Sequence, residues 1–352
     1  MARMSLSDQS PRVPVDGLEG VVCDLDGVVY HGATAVPGAV SALERLGGVA
    51  QVRYATNNAS RTPAVVAAQL RELGITLDDA DVLTSSTVGA QVLAESLPQG
   101  AAVLAVGGEG VRVALTESGL EPVTWADPAQ PAPVAVLQGY GAEVTAAQLA
   151  EAAYAIQAGA RWVATNTDRT LPTARGIAPG NGALVAAVRA AVDVDPEVVG
   201  KPGPLMYEQA ARLLGRAPER MLGVGDRLET DIAGARAAGM RTALVLTGVH
   251  GPGDAAAAPA EQRPELLLEG LADLLVPYAS PQRVGNGEWR CAGATARWNG
   301  AQIEVEGGGI GAARAAVALA WDLVDDGRLD ADVAGAQVRS SVGHRPGAAS
   351  TS

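Results

Sequence analysis

The feature that most restricts the fold is a recurrence of short, mainly apolar runs separated by helical patterns. Leu18 to Cys23 is one such run, and others lie at Gln51 to Ala55, Met221 to Val224, Thr242 to Leu246 and Glu265 to Leu268. They are too short for helices and are dominated by apolar residues, so they read as strands covered on both sides; strands alternating with helices imply a parallel sheet. Helix punctuation agrees. Thr62 stands as N-cap, Pro63 at the first helical position and Gly74 just past the end. The middle third repeats the alternation, with strands expected at Ala101 to Val106, Val134 to Gln138 and Trp162 to Ala164, and helices over Val111 to Ser118 and from Thr145, where Thr145 and Gln148 form a capping box. Pro- and Asp-rich connectors at Ala126 to Pro133 and Asp193 to Pro196 read as loops.

The expected architecture is therefore α/β: a doubly wound, Rossmann-like parallel-sheet core over residues 1–83 and 198–280, with an α/β cap domain inserted over 84–197. After Pro281 the character changes. Gly287 to Val305 alternates in polarity around the turn signal Asn299-Gly300, a Gly307-Gly308-Gly309 break follows, and Ala312 to Asp325 reads as one helix. Residues 281–352 are expected to form a small separate unit of β-hairpin plus helix, with a disordered tail from Ser340.

Composition narrows the function classes. A formal charge of −13 argues against nucleic acid as a partner, so an anionic substrate must be drawn by local cations, a metal and backbone N–H groups. No stretch approaches the roughly 20 apolar residues that span a bilayer, and Met1 to Asp16 lack an apolar signal core. Cys23 lies in an apolar run far from Cys291 and reads as a buried thiol. A cytoplasmic protein without membrane or nucleic-acid partners is expected, with homo-oligomerisation left open.

Oxygen chemistry follows the apolar runs. Asp24-Leu25-Asp26-Gly27 comes straight after the first, which places two carboxylates pointing the same way at the carboxyl end of a strand. Thr56-Asn57-Asn58 ends the second and offers a hydroxyl, amides and free N–H groups for phosphate oxygens. Gly225-Asp226 and Asp231 follow the strand at Met221, and Lys201 in Gly200-Lys201-Pro202 is the available cation. Taken singly, these residues read equally well as turns, a helix cap and an exposed lysine. Four carboxylates converging at one edge repel one another unless a divalent cation compensates them, and hard oxygen ligands suit Mg²⁺.

In this order, Asp24-x-Asp26, Thr56-Asn57, Lys201 and Gly225-Asp226-x₄-Asp231 resemble the four motifs of the haloacid dehalogenase superfamily. Asp24 to Tyr30, Thr56 to Asn58 and the long insertion before Lys201 resemble the capped branch that contains nitrophenylphosphatases, phosphoglycolate, pyridoxal-phosphate and glycerol-phosphate phosphatases. The likeness covers roughly Gly17 to Tyr278. It implies that Asp24 is a nucleophile forming an aspartyl-phosphate and that Asp26 is the general acid and base. Mg²⁺ would be held by Asp24, Asp226 and the main-chain carbonyl of Asp26. Asp231 would orient a metal-bound water or Lys201, and Thr56, Asn57 and Lys201, supported by Asn58, would grip the phosphoryl group. Asp26 must be protonated when the leaving group departs, which calls for a pKa raised by burial or a neighbouring carboxylate.

The resemblance also implies that the cap restricts the substrate to a small phosphorylated metabolite. Thr165 to Gly182 is the polar segment expected to reach the core, with Asn166, Asp168 and Arg169 as candidates for substrate contact. Glycerol 3-phosphate or phosphoglycolate is preferred over a nucleoside monophosphate or pyridoxal phosphate, since that segment offers no aromatic stacking face. The non-enzyme alternative is a metabolite-binding sensor with a vestigial site. Gly307 to Gly311 resembles an acyltransferase loop that cradles a pyrophosphate, but a flexible turn is the simpler reading; packing, dimerisation or regulation is the expected role of the extension.

Overall fold

A computed structural model describes residues 12–125, 132–173 and 175–343. Most of the Ala126 to Pro133 connector and the tail after Gly343 lie outside these residues. In chain order, the stretch ahead of the cap sheet contains β1 (Gly20–Asp24), a small hairpin of β2 (Tyr30–His31) and β3 (Thr34–Ala35), α1 (Ala39–Gly47), β4 (Gln51–Thr56), α2 (Pro63–Glu72), β5 (Val82–Thr84) and α3 (Ser85–Ala94). The Thr62 hydroxyl caps α2 by accepting from Val65 N at 3.3 Å. The cap segment holds β6 (Ala102–Val106), α4 (Glu109–Glu117), β7 (Glu121–Val123), β8 (Ala135–Gln138), α5 (Ala146–Gln157), β9 (Arg161–Ala164), β10 (Thr170–Thr173), β11 (Gly176–Pro179), α6 (Asn181–Arg189) and β12 (Glu197–Val198). The capping box of Thr145 and Gln148 is formed at the start of α5.

The chain then returns to the core with α7 (Leu205–Leu214), β13 (Met221–Gly225), α8 (Ala233–Ala237), β14 (Arg241–Val245), α9 (Pro252–Ala257) and β15 (Leu266–Leu268). The core sheet runs β15-β14-β13-β1-β4-β5 with every pairing parallel. Strand order reverses at β1: the chain steps outward through β4 and β5 on one side, and through β13 to β15 on the other. The carboxyl ends of β1 and β13 thus flank the crevice where open α/β sheets bind ligands. The cap carries its own parallel sheet, β12-β9-β8-β6-β7.

Core and cap are joined by a continuous apolar cluster that includes Ala55, Ala59 and Leu83 from the core, Val88 and Leu93 from α3, and Leu137 and Val163 from the cap sheet. Glycines let them approach. A Cβ on Gly110 would sit 2.4 Å from Ala59 O, and one on Gly108 would sit 2.8 Å from Ser60 Cα. Gly110 N donates to Ser60 O at 3.0 Å, so a core carbonyl occupies the N-terminus of α4.

The C-terminal unit is larger than a hairpin and one helix. Four antiparallel strands, β16 (Gln282–Gly285), β17 (Glu288–Cys291), β18 (Ala294–Trp298) and β19 (Ile303–Glu306), precede α10 (Gly309–Asp325) and α11 (Ala331–Val342). The Asn299-Gly300 turn joins β18 to β19, with Asn299 Oδ1 accepting from Ala301 N and Gln302 N. Ser340 to Val342, expected to begin a disordered tail, complete α11, whose Asp330 cap the polar surroundings concealed. Nor is the unit separate. Leu319, Leu323 and Val338 share one core with Leu228, Ile232, Leu244 and Leu267. Arg314 is buried in that contact, donating to Leu267 O at 2.9 Å and to Ala279 O at 3.3 Å, with its guanidinium 3.8 Å from the centre of the Tyr278 ring. Helix α10 is apolar almost all round because it is covered almost all round.

Candidate active site

Each chemical group stands just past a buried strand. Asp24 is the last residue of β1, Thr56 the last of β4, and Asp226 follows β13. Gly27, at φ 84°, turns the chain away from Asp26 into the β2-β3 hairpin. After Asp226 a five-residue π-turn, Leu228–Ile232, brings Asp231 back beneath the strand end, where its Oδ2 accepts from Arg227 N at 3.1 Å. There is no room for anything but glycine between these carboxylates and the backbone: a Cβ on Gly225 would lie 2.1 Å from Asp231 Cβ, and one on Gly248 would lie 2.0 Å from Asp226 Oδ2.

Asp24, Asp226 and Asp231 each present an oxygen within 4.8 Å of the others. Lys201 lies among them, only 3% exposed. Its Nζ donates to Asp24, to Asp231 Oδ1 at 2.7 Å and to Ala55 O at 3.3 Å. Asp226 Oδ2 is fixed by Val249 N at 2.7 Å, and the Asp226 carbonyl accepts from His250 N at 3.1 Å. His250 Nδ1 accepts from Leu228 N at 2.9 Å, bracing the π-turn that carries Asp231.

This crowding shapes the charges. Burial, then the Asp231 charge, push the Asp24 carboxyl well above the ordinary carboxylate range, against the opposing pull of Lys201. The same two causes push Asp226 up to about 7. Burial works against the Lys201 cation, but Asp231 and Asp24 outweigh it and raise its pKa. Asp26 opens to solvent on one side while protein crowds the others; lost hydration raises its carboxyl, opposed by Lys201, Arg61, His31 and Arg227. Lys201, Arg61 and Arg227 supply the local positive field that the net charge of the chain denies.

The donor set suits Mg²⁺: hard carboxylate oxygens, mutually repelled and all within 4.8 Å of one another, close enough to be gathered by one small hard cation. A pH dependence follows. An acid whose pKa rises on folding stabilises the metal-free fold below its unfolded pKa of 3.8, and this contribution is lost as pH climbs through about 7. Mg²⁺ competes with the same proton. The melting temperature should therefore rise little with Mg²⁺ at pH 5.5 and clearly more at pH 8, read by calorimetry on metal-stripped and reloaded protein; equal shifts at both would contradict this account.

The remaining candidates are spread around the same edge. Thr56 is buried, its Oγ1 accepting from Asn58 N at 3.1 Å, and Asn58 Oδ1 accepts from Ser60. The Asn57 side chain is engaged with Lys201: its Oδ1 accepts from Lys201 N at 2.9 Å, and its Nδ2 donates to Lys201 O at 3.0 Å and to Asp168 Oδ2 at 3.3 Å. Of the cap candidates, Arg169 is exposed, Asp168 meets Asn57, and Asn166 is buried against the core. The segment expected to be a polar loop forms the β10-β11 hairpin. Sequence reasoning passed over Ser85, Val249 and His250. The last two lie four and five residues past the end of β14, in the loop that leaves the same sheet edge, and that placement is the signal that could have found them.

Comparison with known proteins places this geometry. A family model described as haloacid dehalogenase-like hydrolase matches residues 21–121, and a second, HAD-hydrolase-like model matches 198–274. D-glycerol 3-phosphate phosphatase of Mycobacterium tuberculosis is 46% identical over 255 residues, covering 72% of this chain and 70% of that protein. Acid sugar phosphatase of Staphylococcus aureus is 36% identical over 64% of this chain and 85% of its own length. Among solved structures, a glycerol phosphate phosphatase from M. tuberculosis in complex with magnesium superposes with a TM-score of 0.78 at 38% identity, over 89% of this chain and 93% of that one. A p-nitrophenyl phosphatase from Archaeoglobus fulgidus gives 0.66 at 27% identity, over 73% of this chain and 98% of its own. Residues before 281 are four-fifths of the chain, so the first of these superpositions reaches into the C-terminal unit.

Proposed function

The chain belongs to the haloacid dehalogenase-like hydrolases, and on that footing we propose that it is a magnesium-dependent phosphatase of a small phosphorylated metabolite, with glycerol 3-phosphate the preferred substrate. One observation carries the reading: three carboxylates and a lysine from separate parts of the chain form one buried cluster at the carboxyl edge of the core sheet. Such a cluster suits phosphoryl transfer, where catalysis is mostly placement and charge compensation.

In this reading an oxygen of Asp24 attacks phosphorus, the bond to the leaving oxygen breaks, and Asp26 gives that oxygen its proton. Asp26 then takes a proton from water, whose oxygen attacks the aspartyl-phosphate; inorganic phosphate leaves and Asp24 is restored. The upward shift of Asp26 supports the first of its two roles. Lys201 offsets charge on the phosphoryl oxygens, Asp231 holds Lys201 in place, and Thr56 with the main-chain N–H groups of Asn57 and Asn58 binds the oxygens. Asp24, Asp226 and the Asp26 carbonyl would hold Mg²⁺, which when bound would supply Lewis-acid compensation of phosphoryl charge.

Residues 84–197 act as the cap, and Asp168 and Arg169 are its candidates for the leaving group. Identity to the M. tuberculosis phosphatase favours glycerol 3-phosphate over phosphoglycolate; likeness to the S. aureus enzyme makes a sugar phosphate the second choice. No helix among the described residues is long and apolar enough to cross a membrane. Both cysteines are free and buried, which suits the reducing cytoplasm proposed as its compartment. Purified protein should release inorganic phosphate fastest from glycerol 3-phosphate in a panel of phosphorylated metabolites, and chelation of Mg²⁺ should stop it. No release from any member with Mg²⁺ present would overturn the reading.

A further inference from the structure

Both polar side-chain atoms of Asn166 are engaged within the protein. It is 4% exposed; its Nδ2 donates to Asn57 O at 2.8 Å and its Oδ1 accepts from Asp168 N at 3.1 Å. Its carbonyl in turn accepts from Asn181 Nδ2, at the start of α6, at 2.7 Å. On the other side, Asn57 O also accepts from Ser85 Oγ at 2.8 Å, and the Asn57 side chain clasps the Lys201 backbone with two bonds. A buried path of hydrogen bonds thus runs from cap helix α6 through Asn166 and Asn57 to the lysine between Asp24 and Asp231. The path has no slack at Gly200, where a Cβ would lie 2.2 Å from Thr165 O and 2.7 Å from Asn57 Oδ1.

We propose that Asn166 is a positioning residue that transmits the placement of the cap to Lys201 and the phosphate-holding Thr56–Asn58 turn, and that it does not contact the substrate. The inference deepens the phosphatase reading and rests on it. Breaking the Asn166–Asn57 bond leaves Asn57 O with Ser85 as its remaining donor, cuts the tie to the cap and frees the turn to shift, which displaces groups aimed at the phosphoryl oxygens whatever the leaving group. Contact with the leaving group would instead alter discrimination between substrates.

The test uses the full chain with Mg²⁺. Asn166→Ala should raise the Ki and the calorimetric Kd of inorganic phosphate about ten-fold, as loss of one buried hydrogen bond at a binding turn allows. The ratio of kcat/KM for glycerol 3-phosphate to that for p-nitrophenyl phosphate should stay within about two-fold of wild type. A changed ratio with unchanged phosphate affinity would mean substrate contact and overturn the proposal. An unchanged ratio and affinity with only less active protein would mean a structural role and overturn it too, since neither Ki nor Kd depends on the active fraction. Asn166→Ser keeps a polar group too short to reach Asn57 and decides the matter should the alanine variant not fold. If wild-type protein hydrolyses nothing, the phosphatase reading fails, while the calorimetric Kd still decides this inference.

Discussion

Asp24→Asn protein is expected to fold, to melt no lower than wild type without metal, and to lose turnover by at least about 10⁴-fold. The amide keeps the shape of the side chain but is a very poor nucleophile, and the neighbouring carboxylates are already held, Asp226 by Val249 N and Asp231 by Lys201. Stability goes the other way. Burial and the nearby Asp231 hold the Asp24 carboxyl well above its ordinary pKa, so the ionised form is a net burden on the metal-free fold even with Lys201 beside it. Replacing it with a neutral group removes that burden, as happens where function and stability compete. Phosphate release by protein purified free of host phosphatases, together with a melting curve without metal, checks both halves. Activity above about one per cent of wild type would rule out the aspartyl-phosphate scheme.

Truncation after Tyr278 is expected to give an aggregating protein, or one with a large loss of stability and activity together. The missing residues cover Leu228, Ile232, Leu244 and Leu267. Fully exposing a side chain of this kind costs roughly 1.5–3 kcal/mol, so uncovering even half of that surface removes several kcal/mol from a total of about 5–15. Activity should fall with it, because Leu228 and Ile232 bound the π-turn that presents Asp231 to Lys201. The dependence belongs to the apolar face this sequence has built. Sedimentation and calorimetry on the truncated chain decide it: a soluble protein with unchanged melting and kinetics would show the extension to be an independent appendage.

Much of the core was legible because its signals are local. The runs ending at Cys23, Ala55 and Val224 carry their own apolar pattern, and Thr62, Pro63 and Gly74 mark a helix without reference to anything distant. Short strands such as Val82–Thr84 and Glu197–Val198 escaped, since two or three residues hold no periodicity and pair only because a neighbouring strand is there. The segment from Thr165 was read as a loop for the same reason: Thr170–Thr173 and Gly176–Pro179 become strands by pairing with each other.

The candidate site divides along the same line. Sequence alone determined which residues end the buried strands and what chemistry they carry: Asp24, Asp26, Thr56 and Asp226, with Lys201 as the available cation. Spacing along one strand end fixes such groups before any long-range contact forms. Only the tertiary structure decided how they are shared out: that Lys201 bridges Asp24 and Asp231, that Asn57 holds the lysine backbone, that Asn166 turns inward to brace Asn57, and that the C-terminal helices complete the core. Those are pairings between segments more than a hundred residues apart in several cases, chosen by the need of buried polar and charged groups for partners, a need that no local pattern of residues records.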